Sequence, residues 1–268
     1  MSRLSARLTT LRAEGRTGLI AYLVAGDPSA KATVELMHAM VKGGADVIEL
    51  GVPFTDPVAD GPVIQAACER ALRAGTRLAD VFETVRVFRK TDTVTPVVLM
   101  GYLNPLEAMG YSAYSEAAAA AGADALLVVD LPVEEAGELG EMFAMHGLEL
   151  VGLIAPTTSA SRLARVCRSV TGFVYYVSLK GVTGAGSLDR AAMGGQIARI
   201  RALTDRPIGV GFGISDAETA ASIAQTADAV IIGSALVRHI AEHGAAAGPA
   251  VSAALAEIRK ALDTNAAA

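Results

Sequence analysis

Eight short apolar runs of strand length recur along the chain, at 19–24, 47–50, 97–100, 125–129, 150–154, 173–177, 208–211 and 229–232, and they constrain its fold most. They are rich in Val, Ile and Leu without polar alternation, the mark of parallel strands covered on both faces. Helical spacing fills the gaps, as in Val34, Met37 and Val41, in Val81, Val85 and Phe88, and in Ala136, Leu139 and Phe143. A local echo accompanies the repeat. Gly44-Ala45-Asp46, Gly122-Ala123-Asp124 and Thr226-Ala227-Asp228 each close a helix and open an apolar run, with an aspartate to satisfy the turn. Eight alternations with no linker between them predict a single domain over 1–268, a closed (β/α)8 barrel of the TIM type rather than an open doubly wound sheet. Residues 1–18 add an N-terminal capping helix with Leu4, Leu8 and Leu11 on one side.

Of the 268 residues 52% are apolar, and the mean hydropathy is +0.41. These values do not indicate a membrane protein, because the longest run without a charged residue, 93–106, contains Pro96, Asn104 and Pro105. The first residues alternate arginine with leucine and lack the continuous apolar segment of a secretion signal. Cys68 and Cys167 stand alone without ligand spacing, as expected in a reduced, cytoplasmic protein. His38, His146, His239 and His243 fall on predicted helices or helix ends, and no metal cluster is read from them. A net charge of −5 argues against nucleic acid or an anionic membrane as partner. An anionic small molecule fits if backbone N–H groups and helix N-termini, rather than Lys or Arg, supply the positive field.

Chemistry in such a barrel belongs at the C-terminal ends of the strands. Glu49 sits there in the second run, and burying a carboxylate without a partner raises its pKa and fits it for proton transfer. Asp60 follows on a loop stiffened by Pro53, Pro57 and Pro62, in the longest interval between runs. Asp60 before Gly61-Pro62 also fits a helix N-cap, and Asp56-Pro57 also fits plain turn chemistry. Tyr102, Asp130, Pro156, Tyr175 and Ser178 end or follow other runs. Asp27-Pro28 reads as the cap of the first barrel helix, and Asp130-Leu131-Pro132 could cap the fourth. The glycine-rich stretch 179–187 reads as a lid. Glycines after the seventh and eighth runs, Gly211, Gly213 and Gly233, open helices, and with Gly184 they suit a phosphate.

These residues resemble the tryptophan synthase alpha subunit family over nearly the whole chain. The resemblance rests on Ile48-Glu49-Leu50-Gly51-Val52-Pro53-Phe54, Asp56-Pro57, Ala59-Asp60-Gly61-Pro62, Asn104-Pro105, Gly181-Val182-Thr183-Gly184 and Gly211-Phe212-Gly213-Ile214. It implies a lyase of tryptophan biosynthesis that cleaves indole-3-glycerol phosphate to indole and glyceraldehyde 3-phosphate. It further implies Glu49 as proton shuttle, Asp60 as acceptor for the indole N–H and Tyr175 as a supporting hydroxyl. Tyr22, Met100, Tyr102, Leu127, Ile154, Phe212 and Ile232 would then line the indole slot. Gly184, Gly213, Gly233 and Ser234 would hold phosphate, and Gly181, Val182 and Thr183 would belong to the lid. No cofactor is implied for this chain. Pyridoxal phosphate is expected in a partner beta subunit, within an alpha2beta2 heterotetramer, facing Pro53, Phe54, Asp56, Asn104 and Pro105. The family commonly has arginine after the serine of the sixth strand, where this chain has Leu179 and then Lys180. Thr55 stands where serine is common, and Tyr22 where phenylalanine is common. Another phosphate-binding barrel isomerase, or a non-catalytic subunit binding the same phosphate ligand, are the alternative readings.

Overall fold

The computed structural model describes residues 2–177, 190–211, 213–214 and 216–266. Its strands are β1 (Gly18–Val24), β2 (Val47–Gly51), β3 (Val97–Gly101), β4 (Ala125–Val128), β5 (Glu149–Leu150), β6 (Gly152–Ile154), β7 (Val174–Val177), β8 (Ile208–Gly211) and β9 (Ala229–Ile232). All pair in parallel, in the order β5-β4-β3-β2-β1-β9-β8-β7-β6. The two ends of that order are consecutive in the chain, separated by Val151 alone. Val151 N–H still donates to Leu126 O of β4 (3.0 Å), whereas Gly152 N–H donates to Phe173 O beside β7 (3.3 Å). The expected fifth strand therefore changes neighbour in its middle, and the sheet closes as an eight-stranded barrel.

Around it lie α1 (Arg3–Ala13), α2 (Ala30–Lys42), α3 (Pro62–Arg73), α4 (Leu78–Arg89), α5 (Leu103–Met109), α6 (Tyr111–Ala121), α7 (Ala136–Met145), α8 (Ala160–Ser169), α9 (Arg190–Arg201), α10 (Ala217–Ala224), α11 (Ser234–His243) and α12 (Gly248–Ala266). The long interval after β2 holds α3 and α4. Strand residues of one parity face the helices, including Leu19, Ile48, Leu99 and Leu126, and form the larger core. Residues of the other parity, Ile20, Val47, Val98, Leu127 and Phe173 among them, fill the barrel interior. Leu4, Leu8 and Leu11 of α1 are buried against this inner group, so the expected capping helix closes the floor.

The repeated aspartates do more than satisfy turns. Asp46 N–H donates to Leu19 O (2.7 Å), and Leu19 N–H returns a bond to Asp46 Oδ2 (2.8 Å). Asp124 with Val97 and Asp228 with Ile208 repeat the pair of bonds, each side-chain contact again 2.8 Å. Each carboxylate thus extends a strand ladder by one acceptor at the N-terminal rim. Arginines compensate the charge. Arg3 and Arg89 meet Asp124, Arg7 and Arg259 meet Asp46, and Arg201 meets Asp228.

Two expected caps have other duties. Ser29 caps α2, its hydroxyl accepting from Ala32 N–H, while the buried Asp27 pairs bidentately with Arg70 at 2.8 and 2.7 Å. Glu135 precedes α7, and Asp130 instead accepts from Leu103 N–H at 2.7 Å, tying the end of β4 to the start of α5. A carboxylate before proline can serve any nearby donor, and sequence spacing does not say which.

Candidate active site

A cavity of about 490 Å³ opens at the C-terminal ends of the strands. Glu49 reaches it from β2, as the one charged side chain of an otherwise apolar strand. It is 1% exposed, and its Oε1 has no hydrogen-bond partner among the described residues. Burial, assisted by the negative charge of Asp60, pushes the Glu49 pKa up to about 8. The carboxyl therefore holds its proton near neutral pH.

Asp60 reaches the same cavity from the loop after β2. It caps nothing, because Gly61 is the N-cap residue of α3 and Pro62 its first residue. The loop is anchored from three sides. Gln65 Nε2 donates to the carbonyls of Asp60 (2.8 Å) and Pro57 (3.4 Å). Phe54 stacks on Tyr102, with ring centroids 5.2 Å apart. Tyr102 Oη donates to Asp60 Oδ2 (2.8 Å) and accepts from Ala59 N–H (3.1 Å). Burial raises the Asp60 pKa, and the Tyr102 hydrogen bond opposes that rise. Two acids share one cavity, and the Tyr102 hydroxyl stabilises the charged form of only one of them.

Two tyrosines complete the interior wall, each leaning over a glycine of the next strand. The hydroxyl of Tyr22 would collide with a Cβ at Gly51, and that of Tyr175 with a Cβ at Gly211. Both hydroxyl pKa values are raised well above the ordinary range, by burial first and then by the carboxylates. Both therefore remain protonated and able to donate.

Met100 also lines the cavity, together with Leu153, Val129 and Ile231, while Ile64 approaches from α3. The other expected slot residues lie elsewhere. Ile154 and Ile232 face the helices, in the larger core. Leu127 faces inward one layer lower, with the floor. Tyr102 stands behind Asp60 rather than on the cavity wall. In a strand covered on both faces, parity is not written in apolar pattern, and a one-residue slip exchanges the faces. Glu49 gives the parity of its own strand directly, since a carboxyl faces the chemistry rather than the helices.

Gly213, Gly233 and Ser234 share the cavity wall with Arg238. Gly213 has φ +74°, which suits glycine, and Gly233 precedes the first residue of α11, so free N–H groups point toward this end. Arg238 is absent from the sequence expectation, which assigned the positive field to the backbone alone. Its spacing of four from Ser234 on a helix was the available signal. Phe212, Gly184, Gly181, Val182, Thr183, Ser178, Leu179 and Lys180 lie outside the described residues. Of the expected outer surface, Asp56 and Asn104 are exposed, Phe54 and Pro105 half-buried, and Pro53 buried.

His239, Glu242 and His243 bring one possible ligand atom each within 4.8 Å on α11, a grouping that the sequence reading of the histidines did not anticipate. Spacing of three and four residues stacks them on one helix face. None of the three lines the cavity.

The sequence profile described as "Tryptophan synthase alpha chain" matches residues 8–266. The tryptophan synthase alpha chain of Thioalkalivibrio sulfidiphilus is 58% identical over 266 residues, covering 98% of this chain and 100% of the relative. The crystal structure of tryptophan synthase subunit alpha from Legionella pneumophila superposes with a TM-score of 0.92 at 45% identity, covering 98% of this chain and 99% of the other. A chain from a structure of the tryptophan synthase a2b2 complex of Pyrococcus furiosus superposes with a TM-score of 0.85 at 40% identity, covering 91% and 97%. Fold, cavity and sequence agree, and the chain belongs to the tryptophan synthase alpha chain family.

Proposed function

We propose that the chain cleaves indole-3-glycerol phosphate to indole and glyceraldehyde 3-phosphate by a retro-aldol reaction, with Glu49 and Asp60 dividing the proton chemistry. The observation that carries this is a protonated carboxyl with an unpartnered oxygen in a largely apolar cavity that also holds a hydrogen-bonded aspartate. Neutral Glu49 gives its proton to indole C3, which places positive charge on the ring nitrogen. Asp60, oriented by Tyr102, accepts the N–H hydrogen bond and stabilises that charge. The Glu49 carboxylate then takes the proton of the C3′ hydroxyl as the C3–C3′ bond breaks. The bonding pair returns to the ring as indole, the side chain leaves as the aldehyde, and Glu49 is again neutral. Tyr175 supplies a further hydroxyl to the reacting end. Tyr22, Met100, Leu153 and Ile231 hold the indole, and Gly213, Gly233 and Ser234 hold the phosphate.

The reading needs no cofactor in this chain and assigns pyridoxal phosphate to a beta subunit that receives the indole, as in an alpha2beta2 assembly. Val58, 84% exposed on the Asp60 loop, and the exposed Asp56, Asn104 and Met109 form the rim offered to that partner. Both cysteines are free, and no described helix is long and apolar enough to cross a membrane, which accords with a cytoplasmic assignment.

The test is indole release by the wild type, Glu49→Gln and Asp60→Asn, each with and without a beta subunit. Both variants should lose about a hundred- to ten-thousand-fold while still binding the substrate. A wild type that binds the substrate and never cleaves it, even with partner present, would leave only a binding subunit.

A further inference from the structure

Resting on the lyase reading above, we propose that Arg238 is the charged element of the phosphate subsite and sets the preference for a phosphorylated side chain. Three observations support the assignment. Arg238 follows Ser234 by four residues in α11, which places the two on one helix face, and both line the cavity with Gly213 and Gly233. Among the described cavity-lining residues it is the only cation, set against the carboxyls of Glu49 and Asp60. It is exposed, and among the described residues it makes no ion pair that would hold its guanidinium elsewhere.

The electrostatics call for such a group. A substrate bearing a phosphate dianion must enter a cavity that already contains an aspartate. Helix N-termini and backbone N–H groups offer partial charges that fix the position of the oxygens. They discriminate poorly between charge states. An exposed guanidinium in the cavity lining adds a full charge, two parallel donors and attraction at a distance. Ser234 and the glycines would locate the phosphate, and Arg238 would read its charge.

Arg238→Ala should raise KM for indole-3-glycerol phosphate about ten- to a hundredfold, as for loss of one hydrogen bond to a charged group. The loss should appear in KM rather than in kcat, because the phosphate takes no part in the bond that breaks. Inhibition by inorganic phosphate should weaken by a similar factor, and kcat/KM should become less sensitive to added salt. Arg238→Lys should recover most of the loss, whereas KM for free indole in the reverse condensation should not move. A structural role for Arg238 would not separate indole from phosphate ligands in this way. Unchanged KM, phosphate inhibition and salt dependence in Arg238→Ala would overturn the proposal. If the wild type fails to cleave the substrate, the lyase reading falls separately. Calorimetric titration of wild type and Arg238→Ala with inorganic phosphate then decides the role of Arg238, equal affinities overturning it.

Discussion

Glu49 keeps its proton because its charged form is penalised by burial and by Asp60, and that penalty acts on folding as well as on catalysis. Between the ordinary carboxyl value of about 4.5 and the folded value of about 8, the unfolded chain has released this proton and the folded chain has not. Rising pH therefore favours unfolding through this group. Its contribution is complete below pH 4.5 and lost as pH passes 8. Glutamine has no such titration, so Glu49→Gln should gain stability over wild type as pH rises from 5 to 8.5, by about 4 kcal/mol. Thermal unfolding at the two pH values measures this, and an equal difference at both would count against a neutral Glu49. In catalysis, the protonated form is the one that gives its proton to C3, so kcat/KM should fall on an alkaline limb near pH 8. In Asp60→Asn the residual activity should show that limb at lower pH, since the charge that helped to raise the Glu49 pKa is gone. Tyr102→Phe removes the bond that lowers the Asp60 pKa, so the acid limb should move to higher pH.

At the scale of elements, packing of one strand against the next sets the interior. Gly51 exists because the Tyr22 ring occupies the space of its side chain. Gly51→Ala should disturb the indole slot and cut kcat/KM, and Tyr22→Phe in the same chain should restore part of the loss by removing the closest atom. A steady-state comparison of the single and double variants decides this, and additive effects would show that the two residues do not share the space. The aspartate pairs give a second case. Asp124 is buried and answered by two arginines, and Asp124→Ala would leave Arg89 with little solvent and the Val97 N–H without its acceptor. A loss of about 3 kcal/mol in urea unfolding is expected. The recurrence of Asp46, Asp124 and Asp228 was visible in the chain, as were the strand count, Glu49, Asp60 and Gly213. The break at Val151 was not, because closure depends on which neighbour offers a carbonyl, and five continuous apolar residues give no sign of that. Strand parity at Ile154 and Ile232 was hidden for the same reason. Tyr102 was legible as an aromatic after a strand but not as the residue that orients Asp60, since the two are brought together only by the fold.

At the scale of the whole molecule, repeated strand and helix units specify the barrel, and the chemistry gathers where their loops meet. Residues spread across the chain, Tyr22, Glu49, Asp60, Tyr175, Ser234 and Arg238 among them, line one cavity. The floor beneath them is shut by Leu4, Leu8 and Leu11. With its base stoppered, the vessel turns arrivals and departures toward the mouth at the strands' C-terminal ends. Whatever body docks over that mouth stands where it can act as a valve on the traffic.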